Sequence, residues 1–264
     1  MSPFRFTPSS SVALLLSVLC ACQAEPPERA PPLDVADKWS SGLVSSSGPG
    51  DGDEGGEGGA AGEVRGSVRR FIGTDFSSTE AYDEPALIWI MERLTTQDVV
   101  KVPYDGTEFF TERSASPKWL AVVPEFDVDH LDSVTLWDGR SEPEPAVVAR
   151  SALAEIMGGL IASDTPNDAR AQLFVRVVAE DGVTGVAGVI PTVTGGPDLA
   201  FLDGGTWQDL DDSTGDSGQF LAYNVSAAAL PGKDVKVLLS GSLDAEFSVR
   251  LAAGATTMVT YVER

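Results

Sequence analysis

Four aspartates lie close together in one stretch of the chain and could supply oxygen ligands to a hard cation. Ca²⁺ takes about six to eight oxygen ligands, and Ser213 with backbone carbonyls could complete such a shell. The usual calcium-loop spacing is absent, since no glycine stands at the sixth position and no acid at the twelfth. Acid-rich loops in so acidic a chain are often only solvated. A calcium site and a solvated loop therefore both remain open for Asp209, Asp211, Asp212 and Asp216.

A serine and a histidine raise the question of nucleophilic catalysis. Ser217 lies in the run Gly215–Gly218, which resembles the start of the chymotrypsin-like serine protease signature. That chemistry needs a histidine base within hydrogen-bond reach of the serine and a carboxylate behind the histidine. The chain has one histidine, His130, and its surroundings do not match that family. We therefore predict a turn at Ser217 and no enzyme activity.

The surroundings of His130 are acidic and raise a second possibility, a metal site. The acids are Asp127, Asp129 and Asp132. A single histidine among acids is more often a surface residue than part of a ligand set. We expect no cofactor.

Aromatic side chains could stack on sugars. Trp207, in the run Gly204–Asp209, is the best candidate for an exposed ring, and it suggests a glycan-binding module. Aromatic residues in a β-sandwich are more often part of the core. The core interpretation applies first to Trp89, Trp119, Trp137 and Tyr223.

The elements that would position these residues are mainly strands. Alternating apolar residues predict half-buried strands, as at Val235, Val237 and Leu239. One apolar stripe at helical spacing, Ala149, Leu153, Ile156 and Leu160, predicts a connecting helix with Pro145 in its first turn. The predicted strands are 67–72, 86–92, 99–103, 118–123, 172–178, 187–193, 219–225, 235–240, 245–251 and 256–262.

The C-terminal part shows a recognisable order of motifs. A strand enters an Asp181-Gly182 turn, a second strand follows Gly188, and Asp216 to Phe220 form a turn into a later strand. This order resembles the carboxypeptidase regulatory-like domain, a transthyretin-like Greek-key β-sandwich. The resemblance implies an all-β fold of one or two small sandwich units joined by a short helix.

The N-terminus has the parts of an export signal. Arg5 is followed by the apolar run Val12–Leu19, which is too short to span a bilayer. Leu19 to Cys22 resembles the lipobox of bacterial lipoproteins, which implies that Cys22 carries the lipid and that the protein is anchored in the cell envelope, at the outer membrane. Cys20 is the poorer acceptor because Leu19, which precedes it, is bulky.

Composition supports this organisation. The formal net charge of −22 disfavours nucleic acid and anionic membrane surfaces as partners. Glycine, proline, serine and acids dominate the stretch before residue 67 and predict a disordered linker. We expect a non-catalytic envelope lipoprotein for binding, adhesion or structural support, with an unidentified protein or glycan partner. The predicted parts are signal peptide 1–21, linker 22–66, divergent β-rich unit 67–143, connecting helix 144–166 and β-sandwich 167–264.

Overall fold

The protein is all-β in the computed structural model, which describes residues 62–93, 98–161 and 165–263. The signal segment, Cys22 and the linker up to residue 61 lie outside these ranges. The first strands are β1 Glu63–Gly66, β2 Arg69–Ile72, β3 Ser78–Ala81, β4 Ala86–Glu92, β5 Val99–Tyr104, β6 Phe109–Glu112, β7 Lys118–Pro124, β8 His130–Trp137 and β9 Ala146–Ala149. Helix α1 Arg150–Gly159 precedes β10 Arg170–Val178, β11 Val189–Val193, β12 Asp198–Asp203, β13 Thr206–Gln208, β14 Gln219–Ser226, β15 Lys233–Gly241, β16 Ala245–Leu251 and β17 Ala255–Val262.

One long sheet runs through most of the described chain. Its strand order is β13-β12-β14-β10-β17-β8-β7-β4-β5. Strand β17 lies at its centre and pairs in parallel with β10 on one side and β8 on the other. The N-terminal β-rich segment and the C-terminal segment therefore contribute strands to the same sheet.

A smaller sheet, β11-β15-β16, covers one face of the C-terminal half. The predicted alternation holds, because Val235, Val237 and Leu239 of β15 all point into the core. They pack with Leu173 and Val175 of the long sheet. Two sheets that bury alternate residues against each other form a β-sandwich.

The opposite face of the long sheet is covered by helix α1. Leu153, Ile156 and Leu160 are buried as predicted, and they pack with Phe174 and Leu221. The expected first-turn position of Pro145 is wrong, because strand β9 follows this proline and the helix begins only at Arg150. Within the described ranges, no helix is long and apolar enough to cross a membrane.

The strand predictions are largely confirmed. Each of the ten predicted strands overlaps an observed one, and the sequence missed β1, β3, β6, β8, β9, β12 and β13. The assignment of Glu63–Gly66 to the linker is wrong, since these residues form β1 and pair with β6. Val64 of this strand is buried.

The turns that carried the family resemblance form as expected. The Asp181 carboxylate accepts hydrogen bonds from the backbone N–H groups of Val183 and Thr184, both at 2.8 Å. Gly218 has a φ of 66°, a conformation that favours glycine. Phe220, two residues later, is fully buried.

Candidate functional site

The acidic loop between β13 and β14 keeps its aspartates separate and mostly in solvent. Asp211, Asp212 and Asp216 are exposed, and an oxygen of Asp209 accepts a hydrogen bond from the backbone N–H of Ile161 at 3.1 Å. Across residues 62–93, 98–161 and 165–263, no group of three or more His, Cys, Asp or Glu side chains could hold a metal ion. The structure therefore does not bring these four aspartates together as a ligand set.

Trp207 is buried, so the expectation of an exposed ring is also wrong. Only 7% of the residue is exposed. Its indole N–H donates to the carbonyl oxygen of Thr74 at 2.7 Å, and its ring lies edge-on to Phe174 with centroids 5.9 Å apart. A ring enclosed in this way has no free face for a sugar.

Ser217 and His130 lie far apart. Ser217 precedes β14 and His130 begins β8, so three strand spacings, roughly 14 Å, separate the two strands. They also lie toward opposite ends of the sheet. Ser217 precedes Gln219, which pairs with Arg176 late in β10. His130 instead lies just before Asp132, which pairs with the first residue of β17, and the start of β17 lies beside the start of β10. The Ser217 hydroxyl instead donates to the carbonyl oxygen of Leu202 at 2.6 Å.

His130 belongs to a hydrogen-bonded network with Tyr82 and Asp127. Its Nδ1 lies 2.5 Å from Oδ2 of Asp127, and the Tyr82 hydroxyl donates to the same oxygen at 3.1 Å. Burial opposes ionisation of Asp127, but hydrogen bonds from Asp129 N, His130 and Tyr82 outweigh it and hold the pKa below its usual value. The network fixes the β7–β8 turn and brings no metal-ligand set together.

Asp132, the remaining acid of this group, lies apart from that network on β8. Burial raises the pKa of its carboxyl to about 6, and the nearby charge of Arg150 works in the opposite direction. The guanidinium of Arg150 donates instead to Asp168 at 2.6 Å.

A β-bulge in strand β14 creates a feature that the sequence did not reveal. The register between β10 and β14 shifts so that Gln172 faces both Tyr223 and Asn224. Asn224 has a φ of 52°, which asparagine tolerates better than most residues. Gln172 holds it at two points, accepting from Asn224 N at 2.9 Å and donating to Asn224 Oδ1 at 3.1 Å.

Asn224 also forms hydrogen bonds with the segment that leads into β10. Asn224 Oδ1 also accepts from the backbone N–H of Asn167 at 3.1 Å, and its Nδ2 donates to the carbonyl oxygen of Thr165 at 3.2 Å. One side chain therefore fixes the bulge and the chain that crosses beside it.

A polar cleft of about 330 Å³ opens next to this bulge. Arg170 and Ser226 lie opposite each other on β10 and β14, and Asp198 lies opposite Tyr223 on β12 and β14. In the described part of the chain, neither Arg170 nor Asp198 forms an ion pair. We call this feature the bulge cleft, and its lining includes Asn167, Arg170, Asp198, Tyr223, Asn224 and Ser226.

The sequence carried only a faint signal for the bulge cleft. Asn224 interrupts an otherwise apolar run, Phe220 to Val225, which is where a bulge would break the alternation. The partners that close the cleft come from the turn Gly195–Pro197 and from Asn167, which precedes another strand. Their convergence depends on strand order, which a single sequence does not state.

Comparison with known proteins gives no family. No protein-family model matches the chain, and no curated protein matches it. Among solved structures, the Bacillus anthracis TIE protein is similar at 8% identity with a TM-score of 0.23. The match covers 77% of this chain and 33% of that one, so the chain spans about a third of that protein's length. At this TM-score the similarity carries no argument about fold or function.

Proposed function

We propose that the chain is a bacterial envelope lipoprotein whose β-sandwich is a non-catalytic binding module. The lipobox-like run Leu19–Cys22 supports a lipid anchor on Cys22, and the acidic linker that follows supports a tether that holds the folded part away from the lipid headgroups. Gln23 follows the cysteine, which favours the outer membrane in lipoproteins of this kind.

The domain assignment belongs to the same proposal. The segment 167–264 is a carboxypeptidase regulatory-like domain. The Asp181 turn, the left-handed conformation of Gly218 and the buried Phe220 support this assignment, because the family pattern needs all three.

The observation that carries the binding role is the bulge cleft. Polar side chains from several elements converge on it, and Gln172, Asn167 and Thr165 hold its central residue Asn224 in place. In a concave site, a few placed polar groups can fix the orientation of a ligand. The separation of Ser217 from His130 supports a role without nucleophilic catalysis.

Mass spectrometry of the mature protein tests the anchor. We expect cleavage before Cys22 and an added diacylglyceryl mass on its N-terminal peptide. The Cys22→Ser variant should lose this mass, while the matched Cys20→Ser variant should keep it. An unmodified Cys22 in protein isolated from membranes would overturn the proposal.

A further inference from the structure

We propose that the bulge cleft binds a neutral saccharide. This inference rests on the proposed binding role and assigns its ligand class. The site it assigns differs from the one expected at Trp207. Trp207 lies on β13, which pairs with the outer edge of β12, whereas the bulge cleft lies where β12, β14 and β10 run side by side.

The functional groups in the bulge cleft are mixed in kind. Arg170 offers only donors, Asp198 offers only acceptors, and the Ser226 hydroxyl offers both. Neither charged group forms an ion pair within the described ranges, so both are available to a ligand. A sugar hydroxyl both donates and accepts, so adjacent hydroxyls can satisfy a guanidinium and a carboxylate at once.

The charge of the cleft favours an uncharged ligand. One arginine and one aspartate balance each other, so the cleft itself selects neither an anion nor a cation. The excess of acids in the whole chain, 40 Asp and Glu against 18 Lys and Arg, repels anions at longer range. Phosphorylated or carboxylated ligands are therefore disfavoured.

The polarity of the walls excludes an apolar ligand. An apolar group in the bulge cleft would displace water from Arg170, Asp198 and Asn167 without replacing its hydrogen bonds. The volume of about 330 Å³ lies at the lower end of the range for small-molecule sites. A short stretch of a polysaccharide matches both the size and the polarity.

The geometry of the cleft requires little reorganisation on binding. Tyr223 at its floor is 2% exposed and packs in the cluster under helix α1. Asn224 beside it is fixed by the hydrogen bonds described above. A preorganised site loses less conformational entropy when a ligand binds.

Co-sedimentation of the full mature chain in detergent with three insoluble polymers tests this inference. The polymers are peptidoglycan sacculi, chitin and cellulose. We expect retention on at least one of them, and competition by soluble oligosaccharide of the same polymer. The Arg170→Ala/Asp198→Ala variant should reduce retention by roughly tenfold or more, the effect of losing charged hydrogen-bond partners.

The Arg176→Ala/Asp203→Ala variant is the matched control, because it changes the same residue types on β10 and β12 outside the cleft. Equal loss of retention in both variants, or no retention of the parent on any of the three polymers, would overturn the saccharide proposal. A lipidated chain that crosslinks to an envelope protein in cells but fails on all polymers would leave the binding-module proposal standing and remove only the saccharide.

Discussion

Ionisation of the Asp132 carboxyl is opposed by burial, which raises its pKa to about 6. An unfolded aspartate has a pKa of about 3.9, so the folded state binds more protons between about pH 4 and 6. The stability that this group contributes is therefore highest below pH 4 and decreases as the pH rises through this window. At neutral pH the charged carboxylate destabilises the fold.

The Asp132→Asn variant should therefore be more stable than the parent at pH 7. We expect a gain of about 1 kcal/mol in the free energy of unfolding, reduced by the partial exposure of the group. The difference should vanish near pH 4. Urea unfolding at pH 4, 5, 6 and 7 measures it, with the exposed neighbour Asp129→Asn as control. A stability difference between parent and variant that stays constant from pH 4 to pH 7 would contradict the expectation.

The pKa of the Asp127 carboxyl is shifted in the opposite direction to that of Asp132. Its pKa is lowered, so the stability it contributes is present above about pH 4 and is lost as the pH falls through its folded pKa. The Asp127→Asn variant removes the charged acceptor shared by Tyr82 and His130. We expect it to lose about 1–3 kcal/mol at pH 7 and progressively less below pH 4. Thermal melts over this pH range provide the measurement, and a variant as stable as the parent at pH 7 would show that the network contributes nothing.

At the scale of the elements, the turn into β14 depends on Gly218. This residue has a φ of 66°, and a methyl group there would meet the backbone of Val186 at 2.8 Å and of Val177 at shorter range. The Gly218→Ala variant therefore adds a steric clash to the cost of the left-handed conformation. Gly204 shares that conformation, with a φ of 52°, but has open space around it.

We expect Gly204→Ala to cost about 1 kcal/mol and Gly218→Ala clearly more, about 2–4 kcal/mol. Urea unfolding of the two variants side by side separates the steric effect from the conformational one. Equal losses would mean that the neighbouring backbone relaxes and that the close approach does not matter.

Strands with regular apolar patterns could be predicted from the sequence, and several others could not. Strand β8 carries His130, Asp132 and the fully buried Ser133. These polar residues interrupt the alternation of apolar residues by which a strand is predicted. Strand β9 reads as a helix start because Pro145 precedes an alanine- and valine-rich run. Its pairing with β2 and β8 overrides that local preference.

The candidate site was less accessible to prediction than the strands. Trp207 follows two glycines in the sequence, which suggests an exposed loop, but it lies in β13, and Thr74 and Phe76 cover it from a distant part of the chain. The bulge cleft likewise joins residues from β10, β12 and β14. Local sequence patterns indicate the alternation of apolar residues and the positions of turns. The burial of Trp207 and the bulge cleft depend instead on which strands lie side by side.

At the scale of the whole molecule, the central position of β17 links the two segments. Its parallel pairing with both β8 and β10 puts strands from before and after helix α1 into one sheet. One core cluster also includes Trp119 of β7 together with Phe220 of β14. Shared hydrogen bonds and a shared core predict that both segments unfold together.

Hydrogen exchange distinguishes joint from separate unfolding. The Leu120→Ala variant removes a buried side chain from β7, which should cost about 2–5 kcal/mol. If the sheet opens as one unit, amide exchange in β14 should accelerate by the same factor as in β7, at least about tenfold. The Leu153→Ala variant in helix α1 should in turn accelerate β7. Acceleration confined to β4, β5, β7 and β8 would mean that the β8–β17 pairing breaks first, and the two segments would then be separate folding units despite their common sheet.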